Sequence, residues 1–190
     1  MMGVFVNTFF EERVKQLFDL AETIDRAFAA AGIEYRVVGG LAAYLYVEAR
    51  EPDAGRLTKD IDIVVRRADL SRIAEAVGPF GLELRHVAGV DMLVQRGAPS
   101  ARRAVHLVFA GERVRPEYVE PAPELGGTQR LQGVPLVPVA DLVKMKLTSF
   151  RLRDQMHLKD LDDAGLIVRD VEDALPDVLR ERLRQVRERE

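Results

Sequence analysis

YRVVGGLAAYLYVEAREPDAGRLTKDIDIVVR, residues 35–66, holds the plan of the molecule. Tyr35–Val38 is short and apolar enough for a buried strand. Gly39-Gly40 then turns the chain into a helix over about Leu41–Ala49, apolar on nearly every side. Glu51–Thr58 carries Pro, Asp and Gly and reads as a loop. Asp60–Val65 is β-branched and strand-like. Alternate residues of a strand share a face, so Asp60 and Asp62 point together, with Cα atoms roughly 6.6 Å apart. Ile61, Ile63 and Val65 turn to the opposite, core side. Aspartate is disfavoured in strands, and two on one face repel each other and resist losing water. A divalent cation offsets that cost. Hard oxygen ligands suit Mg²⁺, which is commonly held by one or two carboxylates plus substrate phosphates. The plainer alternative is a solvated strand face with Lys59 or Arg66 as ion partners. Glycines between a strand and a helix let the backbone approach phosphates, and a helix N-terminus favours anions. Gly39 and Gly40 therefore read as a phosphate cradle, with Asp60 and Asp62 as metal ligands beside it.

On the N-terminal side, Phe9–Ala31 reads as an amphipathic helix. Val14, Leu17, Phe18, Ala21, Ile24 and Phe28 recur at helical spacing, Asn7 or Thr8 is placed to cap the start, and Gly32 to end it. On the other side a helix is expected over about Asp69–Val77. A hairpin of Leu82–Val87 with Met92–Gln95 should turn at Gly89, and Ala104–Phe109 should form a strand. Arg113–Gln129, with three prolines and two glycines, reads as irregular, and Leu131–Pro138 as a hairpin around Gly133. From Val139 the pattern is helical, with a further helix over Met156–Leu166 and a charged C-terminal helix bearing the stripe Leu175, Leu179, Leu183 and Val186. The expected fold class is α+β, a mixed sheet flanked by helices with a helical C-terminal part. The expected division is 1–138 as core and 139–190 as a helical segment packed on it.

Composition narrows the function classes. Nearly half of the 190 residues are apolar, and the formal net charge of −3 gives no global electrostatic case for nucleic acid. Cysteine is absent, which excludes a disulfide framework, a thiol nucleophile and a thiolate metal site. There is no signal-like N-terminus and no apolar run near the ~18 residues of a membrane span. A soluble, cytoplasmic protein is expected, with no membrane partner.

Val38-Gly39-Gly40, followed after a helix by Asp60-Ile61-Asp62-Ile63, resembles the signature of the DNA polymerase beta-like nucleotidyltransferase superfamily. Arg56-Leu57-Thr58-Lys59 ahead of the two acids, then Lys146, Arg151 and Lys159-Asp160-Leu161-Asp162-Asp163, is similar to the layout of its AbiEii-like branch. The resemblance covers about Ile33–Ile167. It implies the nucleotidyltransferase fold and Mg²⁺-dependent (or Mn²⁺-dependent) transfer of a nucleotide from an NTP to an acceptor, which could be RNA, a protein side chain or a small molecule. It implies that Gly39 and Gly40 hold the triphosphate, that Asp60 and Asp62 bind the metal, and that Lys146 pairs with phosphate, with a solvated or ion-paired helix lysine as the alternative for Lys146. Thr58 and Lys59 are candidates for substrate contact, with loop capping as the alternative. The AbiEii likeness also implies a toxin–antitoxin link, with an antitoxin or a second copy of the chain as partner. The superfamily places a third carboxylate on a later strand; here that position is His106, which could ligate a metal or act as a base, with a satisfied, partly buried histidine as the alternative. Asp91 and Glu112 are substitutes out of register, and no partner is evident for His86 or His157, though His157, near Lys159-Asp160, could line the cleft. The competing expectation is a nucleotide- or partner-binding module that keeps the fold without turnover.

Overall fold

A computed structural model describes residues 2–97 and 104–189. The side chains of residues 2–11 and 13 lie outside the described set, and the expected capping by Asn7 or Thr8 lies there with them. Helix α1 runs over Met2–Ala31, starting ahead of the stretch where an apolar face is legible. Extending a helix costs far less than starting one, so an element can begin ahead of that stretch. The chain then forms β1 (Tyr35–Val38), α2 (Gly39–Glu48), β2 (Ile61–Val65) and α3 (Leu70–Val77). The hairpin β3 (Leu82–Val87) and β4 (Val90–Gln95) follows, with β5 (Val105–Phe109), β6 (Gln129–Leu131) and β7 (Val134–Leu136). The end is helical: α4 (Val139–Ser149), α5 (Leu152–Asp163), α6 (Arg169–Asp173) and α7 (Asp177–Arg187).

The strands make one mixed sheet in the order β3-β4-β5-β2-β1-β7-β6. β1 is antiparallel to β2 and parallel to β7, and β2 is parallel to β5. β2 and β5 therefore sit side by side in register, with Asp62 opposite His106, while Val38 lies opposite Asp62 on the other flank. That register places the end of β1, the start of β2 and the start of β5 at one point. Helix α1 packs against α3, α2 against α4 and α5, and α7 against α4 and α5. One cluster of buried side chains runs from Ile24 and Phe28 through Ile63 and Leu136 to Leu142, Leu158, Leu179 and Leu183.

Several boundaries move. Asp60 lies just ahead of β2 rather than within it, and Gly39 and Gly40 are the first residues of α2 rather than a turn before it. Helix α5 starts at Leu152, ahead of the expected Met156, because a turn at Phe150 with φ 48° ends α4 and lets the next helix begin at once. The segment between β5 and β6 is irregular as expected. It is tied down by Arg36, only 7% exposed, whose guanidinium donates to the carbonyls of Gly126 and Gly127 at 2.8 and 3.2 Å and to that of Tyr35 at 2.8 Å. A buried guanidinium is tolerable when its donors are so matched.

Candidate active site

Asp62, on β2, is partly exposed and faces away from the core, as its alternation with buried Ile61 and Ile63 requires. Its Oδ1 lies 3.1 Å from His106 Nδ1 on the neighbouring strand. This contact, and the nearby charges of Asp62 and Asp60, push the imidazole pKa up against the opposing effect of partial burial. Gly39 closes the other side. Its φ is +67°, and a Cβ there would stand 2.1 Å from Asp62 Oδ2, so position 39 is open only to glycine while Asp62 keeps its place. Gly40 is constrained likewise: its Cβ would meet Thr58 Oγ1 at 2.7 Å. The two glycines thus let the start of α2 lie directly on the Arg56–Asp62 segment.

These groups open onto a cleft of about 630 Å³. Gly39, Asp62, His106 and Lys146 all line it, as do Asp91, Glu112, Arg151 and Asp154. Gly40, Thr58, Lys59 and Asp60 are not in its lining: Thr58 packs under Gly40, Lys59 is exposed, and half-buried Asp60 sits just before the strand. Asp91 and Glu112, considered as replacements for a third acid, are both engaged. Asp91 Oδ1 is 2.9 Å from His86 Nδ1, so His86 does have a partner, and Glu112 receives two bonds of 2.6 Å from Arg67, itself stacked on Phe109.

Lys146 lines the cleft but is not solvated: it is 3% exposed, on the side of α4 that faces α5. Its Nζ lies 2.8 Å from His157 Nδ1 and 3.8 Å from Asp154 Oδ1. Burial pulls its pKa down to about 8, with Asp154 and Asp62 opposing the fall. His157, buried as well, is held at about 4 by burial and by the Lys146 charge. Asp154 collects bonds from the Ser149 hydroxyl and Arg151 Nε, both at 2.7 Å, and its own pKa is lowered by them despite burial. The spacing that assembles this cluster is a helical hairpin folded at Phe150, with Lys146 four residues before the turn and Asp154 four after. That symmetry is the sequence signal for the cluster, and it becomes visible only once the turn is located. Asp160, by contrast, holds Arg56 through two bonds of 3.0 and 2.8 Å, and Asp163 pairs with Lys159 at 2.8 Å.

Asp62 and neighbouring Asp60 supply the hard oxygen donors that Mg²⁺ prefers, and glycine at position 39 leaves Oδ2 of Asp62 uncovered. Among the described residues no set of three or more His, Asp or Glu side chains is arranged to hold a metal by itself. The residues fit a cation whose remaining ligands come from substrate phosphate and water, the usual condition of Mg²⁺ in such sites.

No family model and no curated protein matches the chain. Solved structures do. An antigenic nucleotidyltransferase-like protein from Paracoccidioides brasiliensis superposes with a TM-score of 0.57 at 14% identity, over 90% of this chain and 87% of that one. ANT(2")-Ia, in complex with adenylyl-2"-tobramycin, superposes with a TM-score of 0.55 at 14% identity, over 90% of this chain and 98% of that one. With its mixed sheet, its helical end and these structural neighbours, the chain has the nucleotidyltransferase fold.

Proposed function

We propose that this protein transfers a nucleotidyl group from an NTP to an acceptor, with Mg²⁺ or Mn²⁺ as cofactor. The observation that carries the reading is the convergence of Gly39, Asp62, His106 and Lys146, from four separate elements, on one cleft. In the reaction an acceptor oxygen bonds to the α-phosphorus, the bond from that phosphorus to the β-bridging oxygen breaks, pyrophosphate leaves, and the acceptor proton passes to a base. The start of α2, with Gly39 and Gly40, receives the triphosphate at its backbone amides. Asp60 and Asp62 would hold the cation, which would supply charge neutralisation at the phosphoryl oxygens. His106, in contact with Asp62, stands where it can join the cation's shell or take the acceptor proton. Lys146 supplies fixed positive charge from the cleft wall. RNA, a protein side chain and a small molecule all remain within the acceptor class. The Arg56-Leu57-Thr58 and Lys159-Asp160 layout supports an AbiEii-like assignment, with a toxin–antitoxin role and an antitoxin or second copy as partner.

The test is nucleotide label transfer. Protein, Mg²⁺ or Mn²⁺ and each α-labelled NTP are incubated with an extract containing RNA, protein and metabolites. Label should move to one acceptor class, and the Asp60→Ala/Asp62→Ala variant, folded normally by circular dichroism, should fall to background. Transfer undiminished in that variant would remove the metal assignment. A second reading, a nucleotide-binding module without turnover, is favoured by one observation: a histidine, not a carboxylate, faces Asp62 on β5. It predicts metal-dependent NTP binding by calorimetry with no transfer to any acceptor.

A further inference from the structure

The Lys146–His157 pair is buried and titratable, with Lys146 in the cleft wall and His157 behind it, and the proposed chemistry uses only Lys146. An ammonium group carries three hydrogens and no lone pair. The 2.8 Å contact therefore runs from Lys146 Nζ–H to a bare Nδ1, which puts the ring proton of His157 on Nε2. Burial keeps that imidazole neutral across the physiological range. Lys146 is consequently gripped by an acceptor without charge. The nearby carboxylate, Asp154, stands off at 3.8 Å and is committed at 2.7 Å to both Ser149 and Arg151. A carboxylate in the place of His157 would fix the ammonium equally well but cancel its charge toward a phosphate. A neutral acceptor fixes it and leaves the charge intact, and two Nζ hydrogens remain beyond the imidazole bond. The position is also stiff: α4 and α5 pack directly, and the hairpin turn is held by Gln155 Nε2 donating to the Phe150 carbonyl at 2.9 Å. Preorganised charge in a buried position acts more strongly than charge that must reorient.

We propose that His157, outside the cleft lining itself, is a positioning residue for the transfer reaction: as a neutral Nδ1 acceptor it aims the Lys146 ammonium at the phosphate chain of the bound NTP without neutralising it. This rests on the nucleotidyltransferase reading and adds to it a residue that touches no substrate.

The experiment is a double-mutant cycle with a rescue arm. Lys146→Met, His157→Ala and the combined variant are compared with the wild type, and His157→Asn, whose amide oxygen falls near the Nδ1 position, is the rescue. Two readouts are taken on full-length protein with Mg²⁺: kcat and KM for label transfer, and Kd for a non-hydrolysable NTP analogue. Thermal melts check that each variant is folded. The expected result is a kcat loss of about 10–100-fold in His157→Ala, the double variant no worse than Lys146→Met alone, and His157→Asn within about threefold of wild type. Independent losses that multiply in the double variant would overturn the assignment, as would His157→Asn failing as badly as His157→Ala. If transfer is absent in the wild type, the same cycle is read in Kd, where the same non-additivity and rescue are required. Wild-type protein that neither transfers nor binds the analogue removes the nucleotidyltransferase reading itself, and the positioning role with it. Transfer with a multiplicative cycle removes only the positioning role.

Discussion

Gly39 shows how little room a functional position can have. Adding one carbon there puts it 2.1 Å from the Asp62 carboxylate and forces a left-handed backbone on a residue with a side chain. Gly39→Ala should therefore cost at least about 2 kcal/mol, combining the left-handed penalty with overpacking, and urea denaturation will measure it. A midpoint unchanged from wild type would mean that Asp62 swings away freely. The paired glycines and Asp62 were legible in the sequence because their chemistry is local: glycines between an apolar strand and a helix, and an unfavourable residue in a strand. His157 was not, because its meaning lies in a partner eleven residues away across a turn. Its titration gives a second prediction. The folded pKa, near 4, lies below the ordinary value of 6.5, so the unfolded chain binds the extra proton over that interval. Stability from this group is present above pH 6.5 and is lost as pH falls toward 4. Wild type should lose on the order of 2 kcal/mol more than His157→Asn between pH 7 and pH 4.5, at about 1.4 kcal/mol per pKa unit, read from urea midpoints. Parallel curves for the two proteins would show that the imidazole is not held neutral.

Among the elements, the segment between β5 and β6 has the least regular structure and yet furnishes one wall of the cleft through Glu112, Arg113, Arg115 and Tyr118. Its order comes from outside itself, from Arg36 on β1 holding the Gly126 and Gly127 carbonyls. Arg36→Met should cost about 1.5–3 kcal/mol, the range for losing hydrogen bonds made by a charged group. It should also raise amide hydrogen exchange across residues 111–128 while the β2 and β5 amides stay protected. Equal protection in both proteins would mean that the segment is held by its own packing. The prolines and glycines of this stretch announced irregular structure in the sequence, but its anchoring by a residue some ninety positions earlier had no local trace. The hairpin of β3 and β4 is the opposite case. Gly89 at a tight turn, flanked by strand-forming residues, places it without tertiary information.

For the molecule entire, the buried cluster does not stop at residue 138 but runs from α1 through the sheet into α7. Leu179, fully buried on α7, belongs to the same core as Ile63 on β2. We therefore expect Leu179→Ala to lower stability by about 2–4 kcal/mol and to leave one unfolding transition, coincident by far-ultraviolet circular dichroism and tyrosine fluorescence. Two separated transitions would instead mark 139–190 as an independent unit. The fold class was readable because apolar periodicity reports element type. The order of the strands was not, since β1 pairs with both β2 and β7 and nothing local in Tyr35–Val38 names either neighbour.

That pairing bears on how the chain is made. Val37 meets Leu136 across a gap of roughly 100 residues, which a ribosome takes about 5–20 s to polymerise. During that interval one flank of β1 has no strand beside it, and Lys146 has not yet left the exit tunnel. A nascent chain therefore carries an open, apolar strand edge while its cleft lacks a wall, so the step most exposed to mispairing on the ribosome is also the one that precedes any capacity to bind a nucleotide.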